Sequence, residues 1–156
     1  AREPFTIGAL TVAPTPLPHD AAQVALTFTH GQHKAGLATD LGEVPPGLLA
    51  HLAGCQVVLL ESNHDAELLE KGPYPAFLKR RISGKYGHLA NTAAAELLCA
   101  LQHPGLACVI AAHLSAQNNT PTLAQQALGA ALGWPTDRIT VASPANGTPW
   151  ITVGAA

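Results

Sequence analysis

The chain has 156 residues and a mass of 16.0 kDa, a length typical of a single domain. Only 12% of its residues are charged and 47% are hydrophobic, which excludes a disordered tail, and no apolar run approaches the ~18 residues of a membrane-spanning helix. The formal net charge of −2 excludes a global basic field of the kind that attracts nucleic acid. The eight histidines equal Lys and Arg combined, and they are the first indication of site chemistry.

Strands are predicted for the first forty residues. Residues 10–13 follow a glycine, and residues 24–29 alternate in polarity and form a predicted hairpin with residues 34–39. Three alternate prolines follow the first strand: Pro14, Pro16 and Pro18. Because proline cannot donate to a strand ladder, this segment is predicted to be an extended edge or a loop.

The rest of the chain alternates between strands and helices. Strands are predicted at residues 56–61, 106–112, 139–142 and 150–153. Helices are predicted at residues 45–53, 75–82, 91–102 and 121–132. Asn91 is the expected N-cap of the third helix, and Thr120 is that of the fourth, where Pro121 occupies the first helical position. This order of elements predicts an α/β layered sandwich.

The cysteines and the N-terminal segment indicate the cellular compartment of the protein. Cys55, Cys99 and Cys108 lie in apolar surroundings with no C-x-x-C pair, which favours buried reduced thiols over a disulfide or metal role. The segment that opens the chain lacks the apolar core of a signal peptide. We therefore expect a cytoplasmic protein with no membrane partner.

Histidines and carboxylates follow several of the predicted strands. His19 ends the proline-rich segment, Asp40 follows the hairpin, Glu61 and His64 follow the next strand, and His113 follows residues 106–112. Strand ends at one edge of an α/β sheet are where such folds build sites, and imidazole and carboxylate suit Zn²⁺, Mn²⁺ or Fe. The alternative is that these strand ends are simply solvated. Their number favours a site.

Six short motifs occur in an order that carries a family resemblance: Pro18-His19-Asp20-Ala21, Ala38-Thr39-Asp40-Leu41-Gly42, Leu60-Glu61-Ser62-Asn63-His64-Asp65, Gly72-Pro73-Tyr74-Pro75, Gly87-His88-Leu89-Ala90-Asn91 and Ala112-His113-Leu114-Ser115. Together they resemble the metallo-β-lactamase-fold hydrolases, specifically the WalJ/YycJ-like branch related to tRNase Z and phosphodiesterases. The resemblance implies the αββα four-layer sandwich of that family.

The same resemblance implies roles for the strand-end residues. His19, Asp40 and His113 match metal ligands, with Asp40 as the carboxylate that bridges two divalent ions (zinc, or else manganese or iron). Glu61 and His88 match a pair near the leaving group, where a carboxylate-held imidazole donates a proton. His64 lies close enough to be counted with these catalytic residues, and a purely structural histidine is the alternative.

The family's signature His-x-His-x-Asp-His occurs nowhere in the chain. Because a catalytic zinc needs about three protein ligands, the matched residues cannot hold two ions alone. Residues 1–156 are therefore expected to be a partial domain, the C-terminal half of the sandwich, rather than a complete single domain. Activity is expected only with the missing N-terminal half, and the expected partner is that half or another copy of the chain.

A basic cluster precedes His88 and completes the functional prediction. Lys79, Arg80, Arg81 and Lys85 predict a patch for substrate phosphate, and a solvated helix face is the alternative. A metal-dependent phosphodiesterase that acts on nucleic acid from an end is the leading hypothesis. The alternatives are a hydrolase of small esters, lactones or thioesters on the same fold, and a metal-free half-domain that serves as an interaction module.

Overall fold

The computed structural model describes residues 3–154 and contains one seven-stranded sheet whose strands are arranged in chain order. The strands are β1 (Phe5–Ile7), β2 (Leu10–Leu17), β3 (Gln23–His30), β4 (His33–Ala38), β5 (Val57–Glu61), β6 (Cys108–Ala112) and β7 (Ile139–Val141). The helices are α1 (Leu48–Leu52), α2 (Ala66–Lys71), α3 (Ala76–Ile82), α4 (Asn91–Leu101) and α5 (Pro121–Leu132), with a 3₁₀ turn at Thr136–Arg138. The predicted α/β class is confirmed.

The sheet is antiparallel from β1 to β4 and parallel from β4 to β7. The predicted hairpin is β3–β4, with His30 opposite His33. Strand β2 runs through the prolines instead of stopping before them. Pro14 and Pro16 lie beyond the last residue that pairs with β1, so among residues 3–154 only β3 pairs with β2 there. The structure thus shows the extended-edge form of the prediction.

Helices α1, α4 and α5 pack on one face of the sheet. Ala25, Ala38, Leu60 and Ala111 form a row of small and branched side chains across four strands on that face. They share one hydrophobic core with buried leucines of the three helices, such as Leu98 and Leu128. This packing fixes the strand ends at which the polar residues lie.

The opposite face of the sheet is also apolar. Leu26, Leu37, Leu59 and Ile110 stand opposite one another across four neighbouring strands, and the three leucines keep part of their surface exposed. A depression of about 530 Å³ continues this face towards β1. It is lined mainly by apolar residues, including Phe5, Pro14, Pro16, Val24 and Leu26. This exposed face is what a half sandwich would present.

Several local predictions are wrong. Helix α1 begins at Leu48 rather than at residue 45, because Gly47 has a φ of 95°, outside the helical region. Residues 150–153 form no strand, although their β propensity predicted one, and the Trp150 side chain is fully exposed. Propensity cannot supply a neighbouring strand to pair with. Cys99 is exposed, whereas Cys55 is buried as predicted.

The N-cap of α5 is confirmed, but that of α4 is wrong. Thr120 accepts a hydrogen bond from the Leu123 amide at 3.2 Å. Asn91, in contrast, is the first helical residue of α4, and its buried side chain bonds with those of Ser62 and Asn119. The Asn91 side chain is therefore used in hydrogen bonds to distant residues and does not cap its own helix. Within residues 3–154 no helix is both long and apolar enough to cross a membrane.

Candidate metal centre

Four strands deliver polar side chains to one edge of the sheet. Strands β2, β4, β5 and β6 run in the same direction, so their carboxyl ends meet there. His19, Asp40, Glu61 and His113 lie at or just after these ends. The loop after α3 adds His88. The predicted convergence of His19, Asp40 and His113 on one edge is seen in the structure.

Glu61 occupies the centre of this group. Its carboxylate is fully buried, and Oε1 accepts hydrogen bonds from His113 Nδ1 at 2.7 Å and His88 Nδ1 at 2.8 Å. Oε2 accepts from the backbone amides of Leu41 at 3.0 Å and Leu89 at 3.3 Å. Because donors occupy both oxygens, Glu61 acts as an anchor that orients two imidazoles.

An oxygen atom holds Nδ1 in each of the three histidines of the edge. His19 Nδ1 lies 3.0 Å from the Gly87 carbonyl, and His88 and His113 direct their Nδ1 atoms at Glu61. A carbonyl or carboxylate oxygen only accepts, so Nδ1 is the donor in each of these contacts and Nε2 lies on the other side of each ring. This is the arrangement that metal-ligating histidines adopt when an oxygen holds their other nitrogen.

The Asp40 carboxylate lies between His19 and His113. Its Oδ1 lies 3.6 Å from His113 Nδ1 and 3.9 Å from His19 Nε2. Both Asp40 and His113 have left-handed backbones, with φ of 61° and 57°. Non-glycine residues adopt this region at a cost and cluster at functional sites when they do. The strained backbone therefore supports a functional role for this edge.

Hydrogen bonds shift the pKa values of Glu61 and His113. Burial by itself would raise the pKa of Glu61, but the hydrogen bonds from His113, His88 and the Leu41 amide outweigh burial and lower it. The hydrogen bond to Glu61 raises the pKa of His113, with burial opposing and Asp40 assisting. An ionised Glu61 facing imidazoles is the state in which those rings are held most firmly.

The donor set fits a divalent metal ion. One ligand atom from each of Asp40, Glu61, His88 and His113 falls within 4.8 Å of the other three. Imidazole nitrogen and carboxylate oxygen are the donors preferred by Zn²⁺ and related ions. Of the three predicted ligands, Asp40 and His113 belong to this group, and His19 approaches it through Asp40. Glu61 and His88, the predicted proton-transfer residues, lie within the same distance, but hydrogen-bond donors already occupy both Glu61 oxygens and Glu61 holds Nδ1 of His88.

His64 is placed differently from the other histidines. It is 2% exposed, pairs by its backbone with Ala90, and does not belong to the metal-binding group found among the described residues. Burial lowers its pKa, although the nearby Glu61 charge opposes this. Its Nδ1 is buried with no hydrogen-bond partner in the described part of the chain.

The basic cluster is divided by helix α3. Arg81 forms an ion pair with Asp20 and lines a cavity of about 130 Å³ with His19 and His88. Lys79 and Arg80 instead line a depression with His64 on another side of the helix. Lys85 Nζ lies 2.8 Å from Glu43 Oε1. The four residues therefore do not form one patch.

Two residues of the site were missed in the sequence. Asp20 Oδ1 lies 3.2 Å from His19 Nε2, and its adjacency to His19 was the available signal. A Cβ at Gly87 would lie 2.1 Å from the Ile82 carbonyl oxygen, so only glycine lets this loop bring its carbonyl to His19. The glycine before His88 was visible, but the contact that requires it was not.

Comparison with known proteins agrees with this geometry. The profile of the Beta-lactamase superfamily domain matches residues 1–113. The chain belongs to this superfamily. The crystal structure of the metallo-beta-lactamase fold protein YhfI from Bacillus subtilis is similar, with a TM-score of 0.69 and 14% identity, over 97% of this chain and 52% of that one. At this identity the likeness shows the fold, and the fold and the donor set together support divalent metal binding.

Two curated relatives are similar in sequence. Exodeoxyribonuclease YycJ of Bacillus anthracis is 34% identical over 128 residues, which cover 81% of this chain and 48% of the relative. Exodeoxyribonuclease WalJ of Streptococcus pneumoniae (strain D39) is 31% identical over 124 residues, which cover 79% and 46%. The chain thus spans about half the length of the curated relatives it matches.

Proposed function

We propose that this chain forms part of a metal-dependent phosphodiesterase that degrades DNA from an end. The observation that carries the proposal is the group of Asp40, Glu61, His88 and His113 at one sheet edge, in a chain of the Beta-lactamase superfamily. The two relatives bear the name exodeoxyribonuclease, which supports DNA as the proposed substrate.

In this proposal Asp40, His113 and His19 hold the metal. His19 and His113 offer Nε2, because oxygens hold their Nδ1 atoms, and Asp40 offers carboxylate oxygens between them. We propose two divalent ions, with zinc the first choice and manganese or iron the alternatives; bound metal would supply an activated water and neutralise phosphoryl oxygens. The remaining ligands come from protein outside this chain.

His88 is the proposed general acid. Glu61 holds its Nδ1 at 2.8 Å, which leaves Nε2 directed away from the anchor, so the doubly protonated ring would donate its Nε2 proton to the departing alkoxide and return to the neutral form. The Glu61 carboxylate also faces the positive charge that protonation places on the ring. The ring centroid of His88 lies 5.1 Å from those of both His19 and His113, so the donor stands between the two proposed ligands.

The partner that completes the enzyme is proposed to be the rest of the same domain. The apolar row of Leu26, Leu37, Leu59 and Ile110 needs a covering layer. The relatives have about twice the length of this chain, which is enough for a second sheet and its helices. An N-terminal half packed on this face would bring its own ligands to the same edge, and a second copy of the chain is the alternative occupant.

Hydrolysis by the full-length gene product tests the proposal. Linear single-stranded DNA labelled at one end is incubated with Zn²⁺ or Mn²⁺, with and without a chelator. We expect mononucleotide release that the chelator abolishes and added metal restores. Esters, lactones and thioesters are assayed in parallel. Turnover of those substrates without DNA cleavage would replace the proposal with the small-molecule hydrolase, and no metal and no turnover would favour an interaction module.

A further inference from the structure

A second depression lies beside helix α3, and none of the four residues of the metal-binding group lines it. It has a volume of about 230 Å³ and lies where α2, α3 and the loop after β5 meet. Five of the residues that line it carry polar side chains: His64, Glu70, Lys79, Arg80 and Ser83. The four residues of the metal-binding group do not line it, so the depression requires its own explanation.

The buried wall of this depression is His64. The residue is 2% exposed, and its Nδ1 is buried with no hydrogen-bond partner among the described residues. Buried polar atoms in native proteins are almost always hydrogen-bonded, so an unpartnered imidazole nitrogen beside a depression indicates a polar ligand. Two backbone groups beside the ring are already paired, because the His64 carbonyl accepts from the Asn91 amide and the Asp65 amide donates to the Asn118 carbonyl.

The charge around His64 favours an anion. Lys79 donates to the backbone carbonyl of Glu70, which holds the ammonium at the rim, and no carboxylate of residues 3–154 forms an ion pair with it. Arg80 is exposed, and none of the described carboxylates lies within salt-bridge distance of it. Glu70 supplies the single opposing charge. Two cations with one carboxylate leave a net positive depression.

We propose that this depression is a second phosphate-binding subsite, which holds one backbone phosphate of the nucleic-acid strand away from the scissile bond. The inference rests on the proposed phosphodiesterase function. Helix α3 carries Arg81 towards the cavity with His19 and His88, and it carries Lys79 and Arg80 towards His64. A strand that crosses α3 would thus meet cations on both sides. Arginine, lysine and imidazole N–H groups are the donors that phosphate oxygens accept from.

The test is DNA binding without cleavage. The full-length gene product is titrated into a fluorescein-labelled single-stranded 12-mer in EDTA, and anisotropy is measured at several salt concentrations. R80Q is expected to raise Kd about 5- to 10-fold and to reduce the slope of log Kd against log salt by about one, because one phosphate contact is lost. H64F is expected to raise Kd, and E70Q to lower it, because that change removes the opposing charge.

Arg138 gives the matched control. It is an exposed arginine that precedes β7, at the opposite edge of the sheet from the metal centre, so R138Q should leave Kd and slope unchanged. Unchanged Kd for both R80Q and H64F would overturn the subsite. Should H64F fail to fold, the exposed position of Arg80 keeps the test decisive through R80Q.

Binding of inorganic phosphate distinguishes a site for free phosphate from a site for a backbone phosphate of DNA. Its binding is measured by calorimetry on the unmodified protein and on R80Q. Phosphate binding that R80Q abolishes, with DNA affinity unchanged, would assign the depression to free phosphate and overturn the strand subsite. DNA hydrolysis by the unmodified protein is followed separately. Its absence together with an R80Q binding defect would overturn the nuclease function while leaving a nucleic-acid subsite in place.

Discussion

The Oε1 atom of Glu61 lies 2.7 Å from Nδ1 of His113, and this contact ties the end of β5 to the loop after β6. His113 has a φ of 57°, a conformation that needs support from its surroundings. Glu61 supplies part of that support from a fully buried position. Because Glu61 holds Nδ1 of His113, Nε2 is the nitrogen of this ring that is left for other contacts at the edge of the sheet.

We expect E61Q to lower metal affinity about 10- to 100-fold, the usual cost of losing an outer hydrogen-bond partner. Glutamine keeps the shape but loses the charge, and its amide would place a donor where His88 and His113 already donate. Metal affinity is measured by competition with a chromophoric chelator. E96Q, at an exposed position on α4, is the control and should bind as the unmodified protein does. Equal metal affinity in E61Q and the unmodified protein would show that Glu61 does not support metal binding.

For His88 we expect a loss of activity without a loss of metal. H88Q should lower kcat on DNA by on the order of 10²–10⁴, because general acid catalysis is lost. Its metal content should remain that of the unmodified protein, because the proposed ligands are His19, Asp40 and His113. Metal analysis and single-turnover cleavage are run on the same sample. Loss of metal in H88Q would make His88 a ligand.

The exposed sheet face predicts the behaviour of residues 1–156 expressed alone. With Leu26, Leu37, Leu59 and the 530 Å³ depression uncovered, the chain should self-associate and bind a hydrophobic dye. Light scattering on a sizing column measures the mass. Substituting Leu37 by lysine should reduce the association, because a charge then interrupts the row. A dye-negative monomer with cooperative unfolding would show that this face needs no partner.

The sequence was sufficient where structure is local or periodic. The caps at Thr120 and Gly133, the β3–β4 hairpin and the strand end at Glu61 follow from a few neighbouring residues. The predicted site residues came from the family motifs, and the strand ends explain why they meet. Predictions that needed a distant partner were wrong or incomplete. Asn91 prefers Ser62 and Asn119 to its own helix end, and Trp150 finds no strand to join.

The division of the basic cluster shows the same limit. Lys79, Arg80 and Arg81 are consecutive, so the sequence predicted one patch. A helix turns successive side chains by about 100°, and only the packing of α3 shows which side faces His88 and which faces His64. His64 could be grouped with the site by its sequence position. Its separate burial beside Lys79 and Arg80 depends on where α2 and α3 lie.

The metal content of the protein tests whether a metal centre is built on Asp40. D40N is the informative change, because asparagine tolerates the left-handed backbone at φ 61° and so removes charge without adding strain. Asp137, exposed before β7 at the other edge of the sheet, gives the control D137N. Full-length protein purified without chelator is analysed by mass spectrometry for Zn, Mn and Fe. We predict bound metal in the unmodified protein and D137N and a clear loss in D40N; equal metal in all three would rule out Asp40 as a metal ligand.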